Sequence, residues 1–466
     1  MSPYRVSPDR VSPDRVSPDW VSPDWVSNNA GRAVQELGAK RVTVAGLGRF
    51  GGQIAAARWL VGQGCKVLVT DQATPEKLAG SIEQLKDLPI EFRLGEHRVE
   101  DFSKADLIVA SPAISPSNKF LQSARDAGVA VTTEIRLFIE RCPTKIVAVT
   151  GTKGKSTTTA MLGQILKRRF RTWVGGNIGK SLLPDLDQML PSDLVVLELS
   201  SFMLHDLGGI RWSPHVAVVT MVASDHLDWH GSREAYVEAK GNIVRFQTSN
   251  DIAVLNGEDP GSSALAALTP AQIVRFGVEG RRPLEIVMPG RHNQSNAQAA
   301  FTAAYELGVG RDDAEEALRE FKGLPHRLEL VHEENGVRYF NDSIATIPEA
   351  AVAALESFSP KRVLQIIGGY DKGLGVTPMC NALIERAKAV FCIGATGPRL
   401  AQIMSQSASQ SGASIYNCGD LETAVAMAKR NAIPGDVVLM SPGFASYDQF
   451  VNFEERGERF AKLARV

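Results

Sequence analysis

The chain has 466 residues, 44% of them apolar and 22% charged, with a formal net charge of −1 at pH 7. At roughly 150 residues per domain this is enough for about three domains, and so balanced a charge gives no electrostatic basis for a nucleic-acid partner. Five scattered cysteines (Cys65, Cys142, Cys380, Cys392, Cys418) form no Cys-x-x-Cys pair, which argues against a disulfide framework or zinc site and fits a reducing cytoplasm. No apolar run reaches the roughly 18 residues of a membrane helix, so membrane insertion is not expected, and the first residues hold no apolar signal core.

Residues 2–26 are five copies of a pentad: SPYRV, SPDRV, SPDRV, SPDWV, SPDWV. A proline at every fifth position blocks both a helix and a central strand. The expectation is a disordered tail over residues 1–30, dispensable for the rest of the chain; a peptide ligand is the alternative.

From residue 41 the pattern becomes strand, turn, helix, repeated. Arg41–Ala45 is a predicted strand, Gly46-Leu-Gly48-Arg49-Phe50-Gly51 a turn, and a helix follows to about Val61. A second strand, Lys66–Thr70, delivers Asp71. A Gly-x-Gly-x-x-Gly turn with an acid about 20 residues beyond it is a diphosphate-binding βαβ arrangement. The turn alone does not separate NAD from a UDP-sugar. Leu107–Ala110 is a further strand, ending at Ser111, and the first domain is expected to span 31–142.

The next strand, from Lys145, runs into Gly151-Thr152-Lys153-Gly154-Lys155-Ser156-Thr157. Glycines that let backbone N–H groups converge, followed by a helix N-terminus, bind polyphosphate. Lys155 is expected at the β/γ-phosphates and the Ser156 hydroxyl on Mg²⁺. The general loop has a glycine five residues before Gly154, where Val149 stands here; this shorter form is rarer. Leu194–Leu197 and Val216–Val219 read as buried strands, delivering Glu198-Leu-Ser200-Ser201 and Ser224-Asp225-His226. In open parallel sheets, chemistry gathers at such strand ends. Carboxylate and imidazole there suit a divalent ion held against ATP phosphates; a solvated strand end and a surface turn histidine are the plainer readings. A helix from about Arg233 to Phe246 carries Lys240. Gly290–Asn296 reads as a turn entering a helix, with Asn293 and Asn296 on one face. Their amides can read an adenine edge, and Asn293 can equally cap the helix. The second domain is expected to span 143–324 and the third 325–466, with strands at Val337–Phe340, Arg362–Ile367, Val390–Ile393 and Val437–Met440. Three successive α/β units, each with its own core, follow.

Taken together, Gly175-Gly-Asn177-Ile-Gly179, Glu198-Leu-Ser-Ser-Phe202, Asp225-His226-Leu-Asp228, Ala239-Lys240, Gly323-Leu-Pro-His-Arg327, Asn341-Asp-Ser-Ile-Ala-Thr346 and Ser441–Phe453 join the phosphate loop in a pattern that resembles the Mur ligases, and within them the glutamate-adding branch, from about residue 40 to the end. The resemblance implies three α/β domains: a Rossmann-like UDP-binding domain, a central phosphate-loop ATPase domain with a mostly parallel sheet, and a Rossmann-like C-terminal domain. It implies a cytoplasmic, monomeric enzyme that uses ATP and Mg²⁺ to add D-glutamate to UDP-N-acetylmuramoyl-L-alanine through an acyl phosphate.

The site residues it implies are Lys155 at the migrating phosphoryl group, and Glu198, His226 and an N-carbamylated Lys240 around Mg²⁺, with Ser156 on the nucleotide-bound ion. Gly48, Arg49, Phe50, Asp71, Ser111, Asn177 and Ser200 would meet the UDP-sugar. Asn293, Asn296, Arg327 and Asp342 would hold ATP beside the loop residues Gly151 to Thr157. Thr346, Lys372, Ser446 and Phe453 would line the glutamate pocket. An ordinary helix-surface lysine remains the alternative for Lys240. The chain departs from the family pattern at Ile344, where a lysine is usual, and at Met203, Met221 and Lys153; the stretch from Phe276 to Gly290 is short, as for a trimmed hairpin. Rival readings are another amide ligase of the superfamily, an NAD-dependent oxidoreductase built on Gly46–Gly51, and a regulatory nucleotide-binding protein with an inactive site.

Overall fold

A computed structural model describes residues 37–48, 51–223, 225–371, 373, 375–408 and 413–466. The pentad tail, Arg49, Phe50 and Lys372 lie outside the described residues. Two compact units are present: residues 1–281 with 298–314, and 282–297 with 315–466.

The first unit contains two sheets. In the first, β1 (Arg41–Ala45), β2 (Lys66–Asp71), β3 (Ile90–Leu94), β4 (Leu107–Ala110) and β5 (Ala130–Thr132) lie in the order β3-β2-β1-β4-β5, all parallel. The order reverses between β1 and β4, the place where an open α/β sheet opens a crevice. The turn after β1 and Ser111 after β4 therefore face the same gap. In the second, β6 (Lys145–Thr150), β7 (Thr172–Gly176), β8 (Leu194–Glu198), β9 (Val216–Val219), β10 (Ile252–Asn256) and β11 (Gln272–Phe276) lie in the order β11-β10-β9-β6-β8-β7, again all parallel. The central strands β8 and β9 are buried end to end, as a sheet covered on both faces requires.

The second unit holds β12 (Glu329–Glu334), β13 (Val337–Asn341), β14 (Val363–Gly368), β15 (Ala389–Ile393), β16 (Ser414–Gly419) and β17 (Val437–Met440), ordered β12-β13-β17-β14-β15-β16. Only the edge pair β12/β13 is antiparallel. The fold class is therefore α/β with three mostly parallel sheets.

One expectation changes. The first two sheets do not have fully separate cores: Trp59, Leu60 and Phe138 belong to the same buried cluster as Leu183, Leu186 and Val195. The helix Gly52–Gly62 packs against a 3₁₀ turn at Leu183–Gln188, which joins the two cores. No strand forms between β11 and the helix Arg291–Glu306. Among the described residues no helix is long and apolar enough to cross a membrane.

Candidate active site

The centre of the first unit is where β6, β8 and β9 end side by side. Gly151, just beyond β6, lies so close to β9 that an added Cβ would collide with Thr220 Oγ1. The Thr220 hydroxyl donates to the Lys153 carbonyl at 2.6 Å, and the Thr152 amide donates to Met221 O at 2.7 Å. These bonds fix the loop before the helix Lys155–Leu166 begins, with Ser156 and Thr157 in its first turn. A 12-residue helix aimed this way turns its positive end toward the loop.

Two lysines converge on the loop. Lys155 Nζ donates to Gly151 O at 3.1 Å and to Thr152 O at 3.2 Å. Lys240, on the helix Arg233–Arg245, is 1% exposed, and its Nζ donates to the same Gly151 oxygen at 2.8 Å. It is not the surface lysine of the plainer reading. Burial first, and then the charge of Lys155, push the Lys240 ammonium down to about 7, against the pull of Asp225 and Glu198. The Tyr236 ring lies 4.9 Å from Lys240 Nζ, and its hydroxyl pairs with Thr152 Oγ1 at 2.9 Å.

Glu198 is likewise no solvated strand end. The continuous apolar run of β8 carries it inside, where it is 1% exposed. Its Oε1 accepts from Asn177 Nδ2 at 2.7 Å, and its Oε2 has no partner among the described residues. Gly176, at φ 92°, allows Asn177 to reach it: a side chain there would strike the Glu198 backbone carbonyl. A buried carboxylate oxygen without a donor is costly unless a cation meets it. His226 differs. Its backbone is left-handed (φ 50°), its side chain is half exposed, and its ring lies 4.9 Å from that of Phe202. Its Nε2 is 3.7 Å from the Asp225 carboxylate. Among the described residues no three His, Cys, Asp or Glu side chains form a metal-holding group.

At the first sheet, Asp71 turns back on its own loop. One carboxylate oxygen accepts from the Gly48 amide at 3.1 Å and the other from the Ala73 amide at 2.8 Å. Ser111 Oγ lies 3.4 Å from the Ala113 amide, and Ser200 caps the helix Ser201–Gly209 through the Met203 amide.

In the second unit, Asn293 and Asn296 are buried on the helix that starts at Arg291. Asn293 does not act as the cap: its Nδ2 donates back to Pro289 O at 2.7 Å, while its Oδ1 lies 3.4 Å from Asn296 Nδ2. Asp342 accepts from the Leu328 amide and the Ser441 hydroxyl, and burial raises it to about 7 against these bonds and the charge of Arg327. Thr346 is half-buried, Ser446 is buried, and Phe453 stands edge-on to His326 at 6.0 Å.

Three family models match this chain: the Mur ligase MurD-like N-terminal domain at residues 40–133, the Mur ligase middle domain at 149–284, and the Mur ligase glutamate ligase domain at 326–444. A UDP-N-acetylmuramoylalanine–D-glutamate ligase of Roseiflexus sp. (strain RS-1) is 40% identical over 92% of this chain and 99% of its own. The chain belongs to the Mur ligase family. A ligase of the same name from Acetivibrio thermocellus is 37% identical over 91% of this chain and 96% of its own. Among solved structures, MurF from Acinetobacter baumannii shares the fold, with a TM-score of 0.53 at 17% identity over 80% of this chain and 93% of that one.

The sequence reading of this Mur ligase missed Tyr236, although it stands one helical turn before Lys240 and so shares its face. It also missed Asn256 and Arg456. Asn256 Nδ2 donates to Thr220 O at 2.7 Å. Nothing in its spacing marks Asn256, because the link is made across strands.

Proposed function

We propose that this Mur ligase is a cytoplasmic, monomeric enzyme that joins D-glutamate to UDP-N-acetylmuramoyl-L-alanine, driven by ATP. The observation that carries this reading is similarity along nearly the whole chain, at 36–40% identity, to ligases of that name. The geometry supports the chemistry. An alanine carboxylate oxygen attacks the γ-phosphorus of ATP, the bond to ADP breaks, and an acyl phosphate forms. The glutamate nitrogen then attacks the acyl carbon, loses a proton, and phosphate departs. Lys155, held over the loop, stabilises the charge of the transferring group.

The unpartnered Glu198 Oε2 fits a hard cation. Glu198, His226, Ser156 and an N-carbamylated Lys240 would hold Mg²⁺, which neutralises phosphate charge when bound. Lys240 suits that modification because burial favours the neutral amine that attacks CO₂, forming an N–C bond and releasing a proton. Gly48, Arg49, Phe50, Asp71, Ser111, Asn177 and Ser200 are assigned to the UDP-sugar, and Asn293, Asn296, Arg327 and Asp342 to ATP. Thr346, Lys372, Ser446 and Phe453 are assigned to glutamate. The working divisions are 31–142, 143–324 and 325–466.

The test is phosphate release by the purified chain with ATP, Mg²⁺, UDP-N-acetylmuramoyl-L-alanine and either glutamate enantiomer. Release that requires both the precursor and D-glutamate is expected. Release with L-glutamate alone, or none at all, overturns the reading.

A further inference from the structure

Arg456 is among the largest fully buried side chains of the molecule, at 1% exposure. It sits in the first turns of the helix Phe453–Arg465, which Asn452 caps through the Glu455 amide. Its guanidinium bridges two separate loops. Nε donates to Ser343 Oγ at 3.0 Å, and Nη2 donates to Ser343 O at 2.9 Å and to Phe444 O at 3.1 Å. Ser343 follows β13 and Phe444 follows β17, two strands that lie side by side. The Gly443 amide, donating to Ala345 O at 2.8 Å, is a second tie between the same loops.

Two features set this arginine apart from an ordinary buried brace. Its Nη1 has no hydrogen-bond partner among the described residues, and no carboxylate there pairs with it. Asp448 is the acid whose charge reaches it, and an Asp448 oxygen already accepts from the Ala395 amide at 2.8 Å. Burial lowers Arg456 only to about 10, so it stays charged at neutral pH. A buried cation held by carbonyl and hydroxyl oxygens is expensive to keep, and a planar fork fixes its acceptors more tightly than an ammonium. The loop Asp342-Ser-Ile344-Ala-Thr346 contains no Lys or Arg of its own.

We propose that Arg456 is the positioning and specificity residue for the acidic acceptor. It spaces the Thr346 loop against the Ser446 loop and supplies the buried positive charge that favours a side-chain carboxylate over a neutral amide. The inference rests on the reading that glutamate is the amino acid added and that Thr346, Ser446 and Phe453 line its pocket. Thr346 lies three residues beyond one anchor of the fork, Ser446 two beyond the other, and Phe453 three before the arginine itself.

The experiment begins with wild-type enzyme, which must release phosphate with UDP-N-acetylmuramoyl-L-alanine and D-glutamate; failure at that step refutes the parent reading rather than this one. Arg456→Gln and Arg456→Lys are then compared for KM and kcat with D-glutamate, with ATP, and with D-glutamine as the neutral competitor. In the glutamine variant the KM for D-glutamate should rise about tenfold or more, with the KM for ATP within about twofold. Its preference for D-glutamate over D-glutamine should fall by about the same factor. The lysine variant keeps the charge but loses the fork, so its KM should rise while the preference is retained. A glutamine variant whose preference is unchanged, whatever happens to kcat or Tm, overturns the proposal and leaves Arg456 a brace. Should the glutamine variant not fold, Arg456→Lys decides: a retained preference with raised KM supports the charge role, and a lost preference overturns it.

Discussion

The phosphate-loop centre and the loops around Arg456 solve the same problem in opposite ways. On the proposed reading, both place polar groups where an anion is held. At the phosphate loop the work is done by the backbone: strand ends in register, a glycine that lets β6 approach β9, and a helix N-terminus. Its charged side chains, Lys155 and Lys240, share one carbonyl. Around Arg456 a side chain shares that work with the backbone. Two loops far apart in sequence are bridged by one guanidinium from a third segment, beside the Gly443–Ala345 backbone bond and the Ser441–Asp342 side-chain bond. A backbone site tolerates few changes in its glycines; a side-chain site concentrates its risk in a single residue.

The contrast is sharpest at Lys155. Lys155→Ala should leave the loop folded, since Thr220, Thr152 and Met221 hold it without the lysine. Phosphate release should fall by about 10²–10³ or more, the typical loss of one preorganised donor to a charge-developing oxygen. Near-wild-type turnover with an unchanged melting temperature would remove Lys155 from the chemistry. Gly151→Ala probes the backbone half of the comparison. The new Cβ meets Thr220 Oγ1, so both stability and ATP-dependent turnover should drop together. A variant that melts like wild type would show that β6 and β9 need not be so close.

Lys240 tests whether a side chain in the centre acts through charge it acquires. Lys240→Ala should abolish most activity, and short carboxylates such as acetate should restore part of it by standing in for the carbamate. Rescue by no carboxylate at any concentration counts against carbamylation.

The same contrast explains what could be read from the sequence. Strands 41–45, 107–110, 216–219 and 437–440 were legible to the residue, because interior strands are nearly continuous apolar runs. The strands at both edges of every sheet were missed: β3, β5, β7, β11, β12 and β16. An edge strand such as Ser414–Gly419 is half solvated and carries too few apolar residues to announce itself. β10 has no such excuse, since Ile252–Asn256 is buried throughout. The phosphate loop and the strand end at Glu198 could be read from local sequence; Lys240 came only from the resemblance, and its contact with Gly151 O spans distant segments. Arg456, Asn256 and the Glu198–Asn177 pairing were not, because each depends on a contact made between separate elements of the fold.

Two buried carboxyls give the smallest effect and separate structure from function. Glu134 in the first unit bonds to the Ser181 hydroxyl, and Asp342 in the second to Ser441 and Leu328; burial raises both to about 7. Unfolded, each ionises near 4, so between about pH 4 and 7 the folded chain binds the extra proton. Their contribution is fully present below about pH 4 and is lost progressively as pH rises to about 7, by up to about 4 kcal/mol per group. Glu134→Gln and Asp342→Asn should therefore each flatten the fall of Tm between about pH 4 and 7 and leave Tm at pH 4 nearly unchanged. Only Asp342→Asn should also raise the KM for ATP, because only it belongs to the proposed nucleotide set. Equal kinetic losses in both variants would mean that Asp342, like Glu134, holds the fold and nothing else.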